Sequence, residues 1–158
     1  MKIRTAAKAL IVQDNKLLVI EYNDAFDPVH DTYFVLPGGG QQHSEPLDQT
    51  LQRECQEEIN VDVEVKDLIF IREYIGKNHS HTGHADIHQV EFFFLCTIRA
   101  GQPGIGHTPD TGQIGVQWVA LDALESSNFY PQAARKTLAT LLSGEHIPSH
   151  TVYLGDID

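Results

Sequence analysis

The chain is poor in cysteine, in basic residues and in long apolar runs, and each shortage narrows what it can be. Cys55 and Cys96 are its two cysteines. Two thiols make no disulfide framework, and reduced thiols fit a cytoplasmic protein. Lys and Arg number 11 against 22 Asp and Glu, for a net charge of −11. A surface for duplex nucleic acid needs a basic patch, so no nucleic-acid duplex is expected as a partner. An anionic substrate must instead meet local positive charge, from a metal ion or a few chosen Arg and Lys. Leu10 to Val12 and Leu17 to Ile20 are short apolar runs parted by Asp14, Asn15 and Lys16. They read as strands, not as a signal peptide or a span, so no membrane is expected either. No internal repeat or low-complexity linker interrupts the sequence. With 158 residues, 41% of them apolar, a single domain over 1–158 is expected.

What is present is mostly strand. Ile3 to Gln13 and Lys16 to Glu21 predict a hairpin around Asp14-Asn15. A polar loop at 23–31 leads to a short strand, Tyr33 to Leu36, which delivers Pro37 and three glycines. Further strands are expected at Asp62 to Ile75 (as one or two), Val90 to Ile98 and Ile114 to Leu121, with a short one at Thr151 to Leu154. Helices are expected from Pro46 to Ile59 and from Asn128, as cap, to Leu142, with Pro131 near its start. The fold class is therefore α/β or α+β with a mixed sheet.

The stretch Gly38 to Val61, GGGQQHSEPLDQTLQRECQEEINV, holds the chemistry. At about 100° per residue, with Leu47 at zero, Leu51, Cys55 and Ile59 fall near 40°, 80° and 120°. That arc has to be buried. Glu54 and Glu58 fall near −20° and +20°, partly inside it, and Glu57 near −80°. Carboxylates at this spacing repel one another, and burying them unpaired is costly. A hard divalent cation removes both objections. Arg53, one turn before Glu57, is placed to hold that carboxylate. Taken alone, three acids on one helix also describe a solvated acidic face.

The full spacing says more. Gly39, Glu45 and then Arg53-Glu54-Cys55-Gln56-Glu57-Glu58-Ile59-Asn60-Val61 resemble the Nudix box, G-x5-E-x7-R-E-U-x-E-E-x-G-U with U apolar, of the Nudix (MutT-like) hydrolases. The resemblance covers 39–61 and matches at every charged position. Asn60 departs from the family's glycine, and Cys55 fills an apolar slot. Asparagine tolerates the left-handed cap, and a free cysteine behaves as a small hydrophobe.

The resemblance implies an α/β/α sandwich with a mixed sheet and a loop–helix–loop motif. It implies hydrolysis of the pyrophosphate in a nucleoside diphosphate linked to another moiety, with Mg²⁺ or Mn²⁺ as cofactor. Such chemistry needs cations to stabilise the charge on the oxygens and to acidify water. Glu54 and Glu58 would be the principal metal ligands, with a carbonyl of Gly38 or Gly39. Glu57 would be a further ligand or the base, oriented by Arg53, and Glu45 would lie behind them. A small-molecule nucleotide is the implied partner, and a homodimer is one option for assembly. The implied alternative is a Nudix-like domain that senses a nucleotide without cleaving it. Such domains typically lose box acids, and this chain loses none.

Outside the box, Glu91 interrupts the apolar run Val90 to Leu95 and is the candidate for an extra carboxylate, with Asp110 behind it. Arg72 and Tyr74, with Lys77, are candidates for binding substrate charge and base. His79, His81, His84 and His88 fall in a polar loop at 76–88. It is expected to be solvated and to lie over the substrate, since no cysteine or tight spacing supports a zinc site.

Overall fold

The computed structural model describes residues 2–23, 31–80, 83–144 and 152–158. In chain order these form β1 (Arg4–Gln13), β2 (Lys16–Asn23), β3 (Thr32–Val35), α1 (Leu47–Ile59), β4 (Val61–Ile75), β5 (His88–Gly101), β6 (Gln113–Ala120), α2 (Arg135–Leu142) and β7 (Tyr153–Asp156). The expected mixed sheet is present, in the order β3-β2-β1-β5-β4-β7, with β6 on β2. No helix among the described residues is long and apolar enough to cross a membrane.

The hairpin is present but short in pairing. Asp14 and Asn15 both have positive φ, 49° and 57°, which matches the right-handed twist of the flanking strands. β1 and β2 then pair at Val12↔Leu17 and Gln13↔Lys16. Beyond that, β1 runs parallel to β5 from Arg4↔Gln89 to Ile11↔Cys96. The parting of β1 from β2 creates the site. The chain after β3 fills the gap, with Ala9 N–H on Pro37 O (2.9 Å), Ala7 N–H on Gly39 O (3.0 Å) and Gln41 N–H on Thr5 O (2.9 Å). The glycine run is thereby held flat against β1.

Two apolar layers sandwich the sheet, because successive strand residues point to opposite faces. On one face Leu51, Cys55 and Ile59 of α1 pack on Ala7, Ala9 and Ile11. The alanines leave room for the helix to come close. On the other face Leu138 of α2 joins Leu10, Phe70, Phe93 and Phe129. β5 serves both layers, with Phe93 in one and Cys96 in the other.

Three boundaries differ from expectation. Pro46 has ψ 159° and is the N-cap of α1 rather than its first helical residue. Asn128 caps nothing, because its amide donates to Thr32 O (2.9 Å). Residues 128–130 instead pair with β3, through Phe34 N–H to Asn128 O and Tyr130 N–H to Phe34 O. A cis Tyr130-Pro131 bond follows, and α2 begins at Arg135. The last strand falls at Tyr153–Asp156, later than expected, and Thr151 lies outside the described residues.

Candidate active site

Asn60 ends α1 in the left-handed conformation, φ 60° and ψ 33°, so it substitutes for glycine as its chemistry allows. The carbonyls of the last turn are then closed by the loop before β6. Gly106 N–H donates to Glu58 O (2.9 Å) and Thr108 N–H to Glu57 O (3.0 Å). Gln113 Nε2 adds a bond to Glu58 O at 2.9 Å. Gly106 is required here, since a Cβ would stand 2.1 Å from Glu57 O. The C-terminal turn of α1 is thus closed by the segment leading into β6.

Arg53 organises the acids. Its guanidinium donates to Glu45 Oε1 (2.8 Å) and Oε2 (3.1 Å), Glu54 Oε1 (2.7 Å), Glu57 Oε2 (3.2 Å) and Gly40 O (3.1 Å). A planar fork with fixed donors suits such a task, and lysine does not replace it. Glu45 also accepts from Thr50 Oγ1 (2.9 Å) and Gln42 N–H (3.1 Å). Its bond from Arg53 comes first among the causes that hold its pKa at about 2. The expected hold of Arg53 on Glu57 is present, and the same guanidinium also binds Glu45 and Glu54.

Glu58 is the buried member, 2% exposed. Its Oε2 accepts from Gly38 N–H at 2.8 Å. Burial pushes its pKa up to about 7; Lys8 and the Gly38 bond pull it down, while Glu54 and Asp110 push it further up. A carboxylate so placed is short of positive charge. Gly38 manages the turn with φ 125°, and a Cβ there would meet Ala7 O at 2.2 Å. Its carbonyl accepts from Lys8 Nζ at 2.7 Å. Gly39 lies under Glu54, where a Cβ would come within 2.6 Å of the carboxylate carbon.

This donor set fits a divalent cation. Glu54, Glu57 and Glu58 supply hard oxygens along one helix. The glycine turn meets Glu58 through the Gly38 N–H, while the Gly38 and Gly39 carbonyls accept from Lys8 Nζ and Ala7 N–H. As placed, no three His, Cys, Asp or Glu side chains among the described residues stand together in ligand geometry, and Glu54 and Glu57 are bonded to Arg53. A bound ion would therefore draw Glu54 or Glu57 away from the guanidinium.

The other candidates separate. Glu91 is not brought to this edge. It lies on the α2 face of the sheet, paired with Arg72 Nε and with Gln89 Nε2 at 2.6 Å. An acid inside an apolar strand is satisfied there by an arginine on the neighbouring strand, at the register Arg72↔Glu91. Asp110 stands nearer the glutamates: Tyr22 Oη donates to it at 3.3 Å, and its charge acts on Glu58. Burial first, then Glu58 and Asp110, push the Tyr22 phenol up. Tyr74 is buried, stacked on His79 at 5.0 Å and bonded to His84 Nδ1 at 2.7 Å, with Arg72 over its ring at 5.5 Å. It supports Arg72 from behind. The described histidine segment is largely exposed, as expected, at Lys77, Asn78, Ser80, Gly83 and Ala85 to Ile87, but it is anchored at His79. His79 Nε2 contacts Asp156 Oδ1 at 2.8 Å, and Asn78 Nδ2 donates to Asp156 Oδ2 at 2.7 Å. His81 lies outside the described residues.

The sequence reading missed Lys8. Its signal was available, because it is the one charged residue from Ala6 to Val12. An ammonium in such a strand needs an acceptor, and Gly38 O provides it.

The chain belongs to the NUDIX family, whose NUDIX domain model matches residues 2–141. It is an enzyme of the Nudix hydrolase class. Hydrolases of this class act on small nucleotide substrates and generally use divalent metal ions. No curated protein sequence matches the chain. Among solved structures it is similar to a MutT NUDIX hydrolase from Burkholderia pseudomallei, at 25% identity and TM-score 0.66, covering 85% of this chain and 96% of that one. It is similar in fold to a NUDIX hydrolase from Nitrosomonas europaea, at 18% identity and TM-score 0.71, covering 92% of each chain. An ADP-ribose pyrophosphatase from Streptococcus suis shares the fold at 21% identity and TM-score 0.64, covering 98% of this chain and 100% of that one.

Proposed function

We propose that this chain, as one domain, hydrolyses the pyrophosphate linkage of a nucleoside diphosphate joined to another moiety, with Mg²⁺ or Mn²⁺. The observation that carries the reading is that Arg53 binds Glu54 and Glu57, while Glu58 on the same helix accepts from Gly38 N–H in the glycine turn. Glu54, Glu57 and Glu58, with a carbonyl of Gly38 or Gly39, would hold the cation. When bound it supplies the positive charge a diphosphate needs and acidifies water.

The remaining steps belong to the chain's own residues. Glu57 is the most open of the acids that Arg53 binds, with its side chain 31% exposed against 13% for Glu54 and 14% for Glu45. That openness supports Glu57 as the carboxylate that takes a proton from the attacking water. Arg53 orients it and is itself braced by Glu45. Asp110, rather than Glu91, is the extra carboxylate at this edge. The free, buried thiols of Cys55 and Cys96 accord with a reducing, cytoplasmic setting.

The test is a panel of nucleoside diphosphate derivatives: ADP-ribose, nucleotide sugars, nucleoside triphosphates and dinucleoside polyphosphates. Each is incubated with Mg²⁺ or Mn²⁺, and phosphate is scored after a coupled phosphatase. The reading expects metal-dependent release from at least one class. Tight nucleotide binding with no product from any class would refute it.

A further inference from the structure

The glutamates use one face of the sheet, and the opposite face holds charges that the reaction above leaves idle. Lys8, Arg72 and Glu91 line a cavity of about 100 Å³ whose other walls include Phe93, Tyr130 and Pro131. Glu91 is 3% exposed. Burial opposes its ionisation, but the charges of Arg72 and Lys8, with the bonds from Arg72 and Gln89, together hold its carboxyl below the usual range. An ionised carboxylate offers about four lone-pair sites. Arg72 Nε and Gln89 Nε2 take two of them. Glu91 therefore lines the cavity as a buried acceptor with capacity to spare.

The surrounding groups are fixed. Arg72 is tied to Ile157 O at 3.0 Å and packed over the Tyr74 ring. Tyr130 meets Tyr33 edge-on at 6.0 Å, with Arg135 above its ring at 5.7 Å. Lys8 joins this cavity to the glutamate edge. It donates to the carbonyl of Gly38, whose N–H donates to Glu58. Lys8 and Gly38 thus link the cavity wall to Glu58 by two successive hydrogen bonds. A buried ion pair adds little net stability over apolar residues of the same shape. A stability role alone leaves unexplained why this one opens on a cavity.

We propose that the cavity receives the edge of an amino-bearing nucleobase, with Glu91 as the residue that reads it. This rests on the nucleotide reading above. The exocyclic amine donates to Glu91, the apolar walls cover the ring, and Lys8 lies on the side toward the phosphates. A cavity on the order of 150 Å³ takes up a benzene ring. This one is smaller, so it admits a base edge and leaves the sugar outside. A base that presents a carbonyl at that point sets oxygen against carboxylate and leaves the buried acceptor unmatched. Sites built to bond a polar edge reject analogues that lack it by large factors.

The test is equilibrium binding of free nucleosides to the full chain, without metal or phosphate. Adenosine, guanosine and cytidine are compared with uridine and thymidine by calorimetry. Wild type is expected to bind at least one amino-bearing nucleoside about tenfold or more tighter than uridine and thymidine. Glu91→Gln, which presents an amide, is expected to bring that ratio close to one or to invert it. No binding, equal binding of all five, or a ratio unchanged in Glu91→Gln would overturn the proposal. If the variant does not fold, saturation-transfer NMR on wild type decides. Contacts from base protons to Phe93 and Tyr130 support the pocket, and contacts elsewhere remove it. Turnover is not needed for this test. An enzyme that cleaves nucleotides but binds all bases alike loses only this pocket. A protein that selects amino-bearing bases yet cleaves nothing loses the pyrophosphatase reading instead.

Discussion

Replacing Glu58 by glutamine isolates the buried charge on which the site turns. Glutamine keeps the shape and an oxygen for Gly38 N–H, and it removes the carboxylate. In the fold without metal the pKa of Glu58 rises from 4.5 to about 7, first because of burial. The folded state therefore binds its proton more tightly than the unfolded state does. Stability from this group is present below pH 4.5 and is lost as pH rises toward 7. At 1.36 kcal/mol per pKa unit, the loss is on the order of 3 kcal/mol. For a chain of this size that corresponds to roughly 6–12 °C in Tm. The assay is thermal and urea unfolding of both proteins in chelator, from pH 4.5 to 8. Most other groups are common to the two proteins, so the difference between the curves reports Glu58 together with its coupling to Glu54 and Asp110. Wild type is expected to fall relative to Glu58→Gln across that window, and added Mg²⁺ to recover wild type alone. Parallel curves, or a wild type that gains on the variant as pH rises, would refute the reasoning.

Other outcomes follow from the same contacts. Arg53→Lys keeps the charge but cannot reach the acceptors on Glu45, Glu54, Glu57 and Gly40 together; turnover is expected to drop about 10²-fold while Tm changes by a few degrees. Gly38→Ala has to place a Cβ against Ala7 O at a positive φ. It is expected to destabilise by at least about 2 kcal/mol in urea titration, with Gly38→Ala at wild-type stability as the contrary result. Asn60→Gly relieves the left-handed cap and is expected to raise stability by up to about 1 kcal/mol with kcat unchanged, checked by paired unfolding and rate measurements. Asp110→Asn is expected to slow turnover at unchanged Tm, whereas an equal rate would return the extra carboxylate to the list of open positions.

Where local chemistry decided the outcome, the sequence was enough. The end of α1 at Ile59, the left-handed Asn60 and the burial of Glu58 on an apolar arc all follow from spacing within one element. What was hidden depends on partners far along the chain. Glu91 was legible as an odd acid in an apolar strand, but its partner is set by the β4–β5 register, which bulges at three places. The early start given to α2 failed because residues 128–130 pair with β3, a contact between segments about 95 residues apart. Lys8 went unread because its acceptor, Gly38 O, lies 30 residues away.

The claim on which the rest stands is that the acids of α1 hold a divalent cation for pyrophosphate cleavage. It is tested most directly by the Mg²⁺-dependent rate on the preferred panel substrate, for wild type and Glu54→Gln side by side, with both shown folded by circular dichroism. The account predicts a fall of about 10³-fold in the variant, together with loss of the Mg²⁺-induced rise in Tm. A folded Glu54→Gln protein that turns over at the wild-type rate would contradict it.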